Sequence, residues 1–243
     1  MGNLIQAEML KLSKSFGYTI LLLCSAAFGV FVGGIFIFMN PGFIPSGYTV
    51  YMDLLNETQS KYLLLGVFAA TFIGNEFSQR TFGIAILSGC SRISLLLAKA
   101  AVYTVGLIPL ILLCPLVGSA IMTFYSEFGE MNPELWQHLF LTSFSRIVGM
   151  ITVGFFCFMF ALLTRKIAAI IGGTIGILVL LETMVGILSQ HPTLSSFTKF
   201  VFTYQLLWLS EPESLPLYYL VMFATIALSF LASISLFKKA ELK

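Results

Sequence analysis

The chain has 243 residues, of which 58% are hydrophobic and only 10% charged, with 24 Phe and a mean hydropathy of +0.96. Soluble domains carry about 25% charged residues, so this composition excludes one and predicts an all-α integral membrane protein. A net charge of +2, without a basic cluster interleaved with aromatics, argues against a nucleic-acid partner. Cys24, Cys90, Cys114 and Cys157 lack metal-ligand spacing and three of them fall in apolar runs, which argues against a metal site or a disulfide framework.

Residues 3 to 16 place Ile5, Met9, Leu12 and Phe16 on one helical face and Glu8, Lys11 and Ser15 on another, the pattern of an amphipathic interfacial helix. A charged flank before a span would carry the same residues. The apolar run Tyr18–Met39 is span one; it is longer than a cleavable signal core and further spans follow. Asn40, Pro41, Gly42 and Pro45 end it. Gly29 and Gly33 form a GxxxG that lets a helix approach closely, either within the subunit or at a dimer seam.

Span two is expected as one helix from about Asp53 to Ser78, although its uncharged core, Tyr62–Gly74, is short for a crossing. Span three runs from Ile93 to Phe124 and is expected to be broken by Pro109 and Pro115, each of which removes a backbone donor. Tyr125–Gln137, with Glu127, Glu130 and Glu134, reads as an outer loop. Span four covers His138–Leu163, and Thr164, Arg165 and Lys166 make a tight basic turn. Span five is Ile167–Leu188. Ser189–Pro216 is too polar for a span, and span six is Leu217–Phe237.

In this six-span layout ten of the 13 Lys and Arg fall on one side: Lys11, Lys14, Arg80, Arg92, Lys99, Arg165, Lys166, Lys238, Lys239 and Lys243. Positive residues mark the cytoplasmic side, so both termini are expected inside. Asp53, Glu57, Glu127, Glu130, Glu134, Glu211 and Glu213 fall on the other side. A single permease domain accounts for residues 1 to 243. Asn56-Glu57-Thr58 fits the glycosylation triplet, which is common by chance.

The stretch from Glu76 to Lys99 is the one long polar-flanked insert on the basic side. Its apolar island, Phe82 to Leu87, reads as a one-to-two-turn helix with Thr81 as N-cap and Gly89 as a left-handed stop, after which Ser91 caps the next helix. An exposed apolar helix of this kind is costly unless a partner covers it.

The order E-F-S-Q-R-T, a short apolar helix, then S-G-C-S-R and an apolar run reaching Lys99 resembles the segment between spans two and three of the ATP-binding-cassette type-2 permeases. The resemblance implies a small bacterial six-span permease in the plasma membrane. The stretch would hold a coupling helix that docks on a separate ATPase subunit through Glu76, Arg80, Thr81, Phe82, Ile84, Leu87 and Arg92. It further implies an N-terminal helix on the inner membrane surface, short outer helices between spans five and six, two ATPase copies, and a second permease subunit in a homo- or heterodimer. The cargo class is a hydrophobic or amphipathic substrate: an antimicrobial peptide, a lipid or a drug.

The chain contains no phosphate-binding G-x-x-x-x-G-K-[ST], H-E-x-x-H or G-x-S-x-G, so no enzyme activity and no bound cofactor are expected, ATP being held by the partner subunit. His138 and His191 lie at outer boundaries. Arg146 and Glu182 fall furthest inside the spans at matching depths, and an unpaired charge there costs about 2.5 to 3.5 kcal/mol on insertion scales. They are expected to pair, as a brace or gate. The alternative is that Arg146 snorkels and Glu182 faces a water-filled cavity. Such charges also fit an ion-coupled secondary transporter, although the chain lacks the internal repeats common in that class.

Overall fold

The structure, a computed structural model, describes residues 2–39, 45–130, 132–191, 194–207 and 215–239. Among these it is all-α, and five helices are long and apolar enough to cross a membrane. This is the architecture of a multi-pass membrane protein. Asn40, Pro41, Gly42, Glu211, Glu213, Lys243 and part of the Ser189–Pro216 segment lie outside the described residues.

The first helix, α1 (Gly2–Ser13), is followed by α2 (Phe16–Met39), with a break at Lys14 and Ser15. The expected single face through Phe16 is therefore divided between two helices. The burial of α1 also differs from expectation: Glu8 and Leu12 face the protein, while Ile5, Met9 and Phe16 are exposed. The polar residue is inward because it has an ionic partner there, described below.

Helix α3 (Gly47–Asn56) ends before α4 (Gln59–Ala69), so the expected unbroken helix from Asp53 is interrupted at Glu57 and Thr58. The local chemistry explains the break. The Glu57 carboxylate accepts the Ser60 backbone N–H at 2.9 Å and also the Ser60 hydroxyl. The buried Lys61 ammonium turns back to donate to Leu54 O at 2.6 Å, Leu55 O at 3.0 Å and Glu57 O, satisfying carbonyls that α3 leaves open.

Helix α4 continues without a break through a π turn (Ala70–Gly74) into α5 (Asn75–Ser78). In the π turn the Asn75 N–H reaches Ala70 O, five residues back, and Thr71 Oγ1 donates to Val67 O and Phe68 O. This composite rod, about 30 Å at 1.5 Å per residue, returns the chain to the end where α1 lies. Two glycines let α9 come close to it: a Cβ on Gly66 would sit 2.6 Å from Thr174 Oγ1, and one on Gly74 2.9 Å from Ile170 Cδ1.

After α6 (Thr81–Leu87) comes α7 (Arg92–Ser126), a single 35-residue helix, about 52 Å long. Pro109 and Pro115 lie inside it without breaking it, contrary to the sequence expectation. Hydroxyls from α2 tie it to this stretch: Tyr18 donates to Gly106 O at 3.0 Å and Ser25 to Leu110 O at 3.2 Å. The GxxxG of α2 also packs on α7. A Cβ on Gly29 would meet Cys114 O at 2.5 Å, and one on Gly33 would touch Ile121.

Helix α8 (Pro133–Thr164) begins earlier than the expected His138 because Pro133 stands at its first position, where its fixed φ suits a helix start. The expected loop through Gln137 is correspondingly shorter. Arg165, at φ 58, turns the chain into α9 (Ile167–Leu188). Two short helices follow, α10 (Ser195–Thr198) and α11 (Phe202–Leu207), and then α12 (Leu215–Lys239).

Helices α7 and α8 are the most buried of the long helices. Helices α1, α2 and α3 pack on α7, while α9, α11 and α12 pack on α8 or on one another with α4 between. An aromatic cluster holds the centre. Tyr103 stacks on Phe68 with centroids 4.8 Å apart, touches Phe72 and Phe158, and donates to Gly154 O at 3.2 Å.

Two ends of the bundle are distinct. At one, Lys11, Arg80, Arg92, Lys99, Arg165 and Lys238 come together with α1, α6 and the last turn of α12. Phe82 meets Phe237 edge-on at 5.1 Å, Arg92 donates to Lys238 O at 3.0 Å, and Arg165 lies over Phe77. This is the basic end. At the other, acidic end α3 meets the α7–α8 connection: Gly47 N donates to Glu127 O, and Tyr48 Oη lies 3.1 Å from His138 Nδ1.

Candidate functional site

The basic end holds a charge cluster drawn from three separate stretches of chain. Lys99, in the second turn of α7, places Nζ 2.7 Å from Glu8 Oε2 and 2.7 Å from Glu76 Oε1. Lys11 Nζ is 2.8 Å from Glu8 Oε1 and 3.7 Å from Glu76 Oε1. The side chains of Lys99 and Glu8 are 1% and 3% exposed, so the contact excludes water. Lys99 also lies over the rings of Phe72 and Phe82 at 5.5 and 5.2 Å, which adds cation–π attraction.

Burial pushes the Glu8 carboxyl up, but Lys99 and Lys11 more than offset it and hold the group below its usual value. For Lys11, burial lowers the ammonium's pKa while Glu8 and Glu76 outweigh it and raise it. Both groups are therefore charged at neutral pH. Two carboxylates and two ammoniums balance, which lets the cluster sit in a low-dielectric place.

Beside this cluster α6 stands as a short arm. Arg80 is its N-cap, in the left-handed conformation at φ 57, and its side chain is exposed. Thr81 is the first residue of the helix and not its cap; its hydroxyl donates back to Glu76 O at 3.3 Å. The chain reverses after α5 at Arg80, so Thr81 already has helical geometry. Gly89 ends the arm at φ 92, and Ser91 caps α7 by accepting from Ser94 N at 3.2 Å.

The arm has two faces. Phe82 is 1% exposed and packs on Phe77 at 4.8 Å and on Phe237. Ile84 and Leu87, one helical turn apart, are 64% and 88% exposed. Phe82 fastens the helix to the bundle, and two large apolar side chains point away from it. Arg92 braces the following turn against the end of α12.

Arg146 and Glu182 do not form an ion pair. Arg146 donates to Leu206 O at 2.6 Å, and Glu182 Oε1 accepts from Thr58 Oγ1 at 3.3 Å. Similar depth along adjacent helices does not ensure that two side chains point at each other, and here each is turned to a different neighbour, α11 and the start of α4. Arg146 lines a cavity of about 490 Å³ at the acidic end, between α3, α8, α11 and the start of α12.

Three residues that matter in the structure are given no site role by the sequence reading: Glu8 and Lys99, placed only on a polar face and at the end of the Glu76–Lys99 stretch, and Lys61. Each has a signal in hindsight. Glu8 is the lone acid of α1, and Lys99 and Lys61 each border an apolar run too closely to reach open water. Among the described residues no group of His, Cys, Asp and Glu could hold a metal ion. No protein-family model matches the chain, and no curated protein matches it.

Proposed function

We propose that this chain is the permease subunit of an ATP-driven exporter, resembling the ATP-binding-cassette type-2 permeases. In this reading the rod Gln59–Ser78 is a sixth span beside the five long apolar helices, and the basic end with both termini faces the cytoplasm. The observation that carries the proposal is α6. A short helix fastened by buried Phe82 holds out exposed Ile84 and Leu87 in a setting rich in Arg and Lys. Exposed apolar side chains on a small rigid helix suit a groove in a partner, and the chain has no nucleotide-binding loop of its own.

The cluster of Glu8, Lys11, Glu76 and Lys99 gives such docking a mechanical consequence. Force on α6 passes through Phe82 and α5 to Glu76, and from there to α1 and α7 together. Two permease subunits and two ATPase subunits complete the transporter, and the cargo is a hydrophobic or amphipathic molecule. The test is co-purification of an ATPase subunit with the detergent-extracted chain, with ATP hydrolysis measured on the complex. Ile84→Asp with Leu87→Asp should abolish both without loss of folded permease. Retention of the ATPase by that variant would refute the docking role of α6.

The second reading, an ion-coupled transporter, draws on buried Lys61 and Arg146 and half-buried Glu182 in the acidic half. Substrate movement by the chain alone in vesicles, driven by an ion gradient without ATP, would favour it.

A further inference from the structure

The acidic end contains a buried cation without an ionic partner among the described residues. Arg146 is 5% exposed, one of its terminal nitrogens donates to Leu206 O, and its Nε has no hydrogen-bond partner. The described residues include no carboxylate paired with it: Glu182 is turned to Thr58, and Glu57 to Ser60. Lys61 has its ammonium committed to the carbonyls ending α3 and offers Arg146 no counter-charge. A cation withdrawn from water without a counter-charge is costly.

Arg146 nevertheless lines a cavity of about 490 Å³, a size in the range of small-ligand sites. Met52, Leu141, Leu206 and Leu215 supply an apolar wall, and exposed Asp53 stands on the lining from α3. Tyr48 and His138, in contact across the α3–α8 gap, border the same space. A guanidinium edge that includes Nε is suited to bidentate recognition of an oxyanion. The apolar wall suits hydrocarbon, and Asp53 suits a cationic group on the same ligand.

We infer that this cavity binds the headgroup of a zwitterionic phospholipid, with its phosphate on Arg146 and its ammonium toward Asp53. Phosphoethanolamine has both charges on one short linker. The site is separate from the α6 arm and needs no ATPase, so it stands or falls independently of the exporter reading.

The test is native mass spectrometry of the detergent-purified chain titrated with dioctanoyl phosphatidylethanolamine, dioctanoyl phosphatidylglycerol, dioctanoylglycerol and inorganic phosphate. Phosphatidylethanolamine should bind about tenfold more tightly than dioctanoylglycerol. Arg146→Gln, which keeps a polar side chain but removes the charge and the Nη donors, should lose that advantage. Thr142→Trp keeps the charge and fills the cavity from α8; it should lose binding too, and it decides the matter if Arg146→Gln fails to fold. Asp53→Asn should bring phosphatidylglycerol level with phosphatidylethanolamine. Undiminished binding in Thr142→Trp, or dioctanoylglycerol binding as tightly as the phospholipids, would overturn the site. Inorganic phosphate competing with the lipid at equal concentration would overturn its assignment to a lipid headgroup.

Discussion

Glu8 and Lys99 are 91 residues apart in sequence, and their carboxylate and ammonium meet at 2.7 Å with both side chains out of water. This contact fixes α1 on α7 and turns a polar residue of the N-terminal helix toward the protein. Removing one partner of a buried pair typically costs about 3 to 5 kcal/mol, and here the loss is cushioned because Lys99 keeps Glu76 and Glu8 keeps Lys11. Glu8→Gln and Lys99→Met should each lower the melting temperature in detergent and expose α1 to protease. The double variant, which leaves no stranded charge at this contact, should lose less than the sum. Additive losses would show that the pair is not coupled.

The cluster also has a pH signature. The Glu8 pKa is lower in the folded state than its ordinary value of 4.5, so its contribution to stability is full above 4.5 and is lost as pH falls through the depressed folded value. Lys11 has the opposite sign: raised above 10.5, it contributes fully below that value and is lost on further alkalinisation. Protection of α1 from protease should therefore be flat across neutral pH and fall at both extremes. In Glu8→Gln the acid limb contributed by this residue should vanish, as melting curves against pH can show.

The two faces of α6 should respond differently to mutation. Phe82→Ala opens a cavity between Phe77 and Phe237 and should cost about 3 to 5 kcal/mol of stability. Ile84→Ala and Leu87→Ala remove exposed side chains and should change stability by less than about 0.5 kcal/mol while weakening ATPase binding. Thermal melting paired with binding separates these outcomes. Equal destabilisation by all three would remove the distinction between anchor and docking face.

Much of this fold was legible in the sequence because long apolar runs between turn signals have few ways to fold in a membrane. Span five was read with the limits that the structure gives, Ile167–Leu188, and span one within two residues. What could not be read was direction. A depth count along two helices put Arg146 level with Glu182, yet side-chain azimuth decides pairing, and Arg146 is turned to Leu206. Span two was misread for a related reason. Its early helix end is capped by Lys61, a residue whose position marks it as a charged flank and gives no hint that it folds back.

The absence of an Arg146–Glu182 ion pair gives a further expectation. Glu182→Gln retains an acceptor for Thr58 and should leave folding nearly unchanged. Arg146→Glu combined with Glu182→Arg should recover nothing relative to the single variants, as yield of folded protein on size exclusion would show. Recovery in the double swap would mean that the two charges do meet.

Cys90, half-buried in the turn after α6, is the cysteine best placed for water-soluble reagents; Cys114 and Cys157 are buried and Cys24 lies within an apolar helix. An impermeant maleimide should miss it in intact cells, label it in inverted vesicles, and label it more slowly once an ATPase is bound. Labelling from outside the cell would reverse the proposed orientation.

The π turn at Ala70–Gly74 means that the two ends of one rod are out of angular step. A five-residue hydrogen-bond interval accommodates one residue more than an α turn, which rotates everything beyond it by roughly 100°. Glu76 faces Lys99 because of that offset. The rod can thus change the azimuth of its carboxylate without moving its axis, if the extra residue is absorbed or passed along the helix. Torsion, as distinct from tilt or sliding, is the displacement such an offset permits, and deleting one residue between Ala70 and Gly74 should turn Glu76 away from α1 and α7.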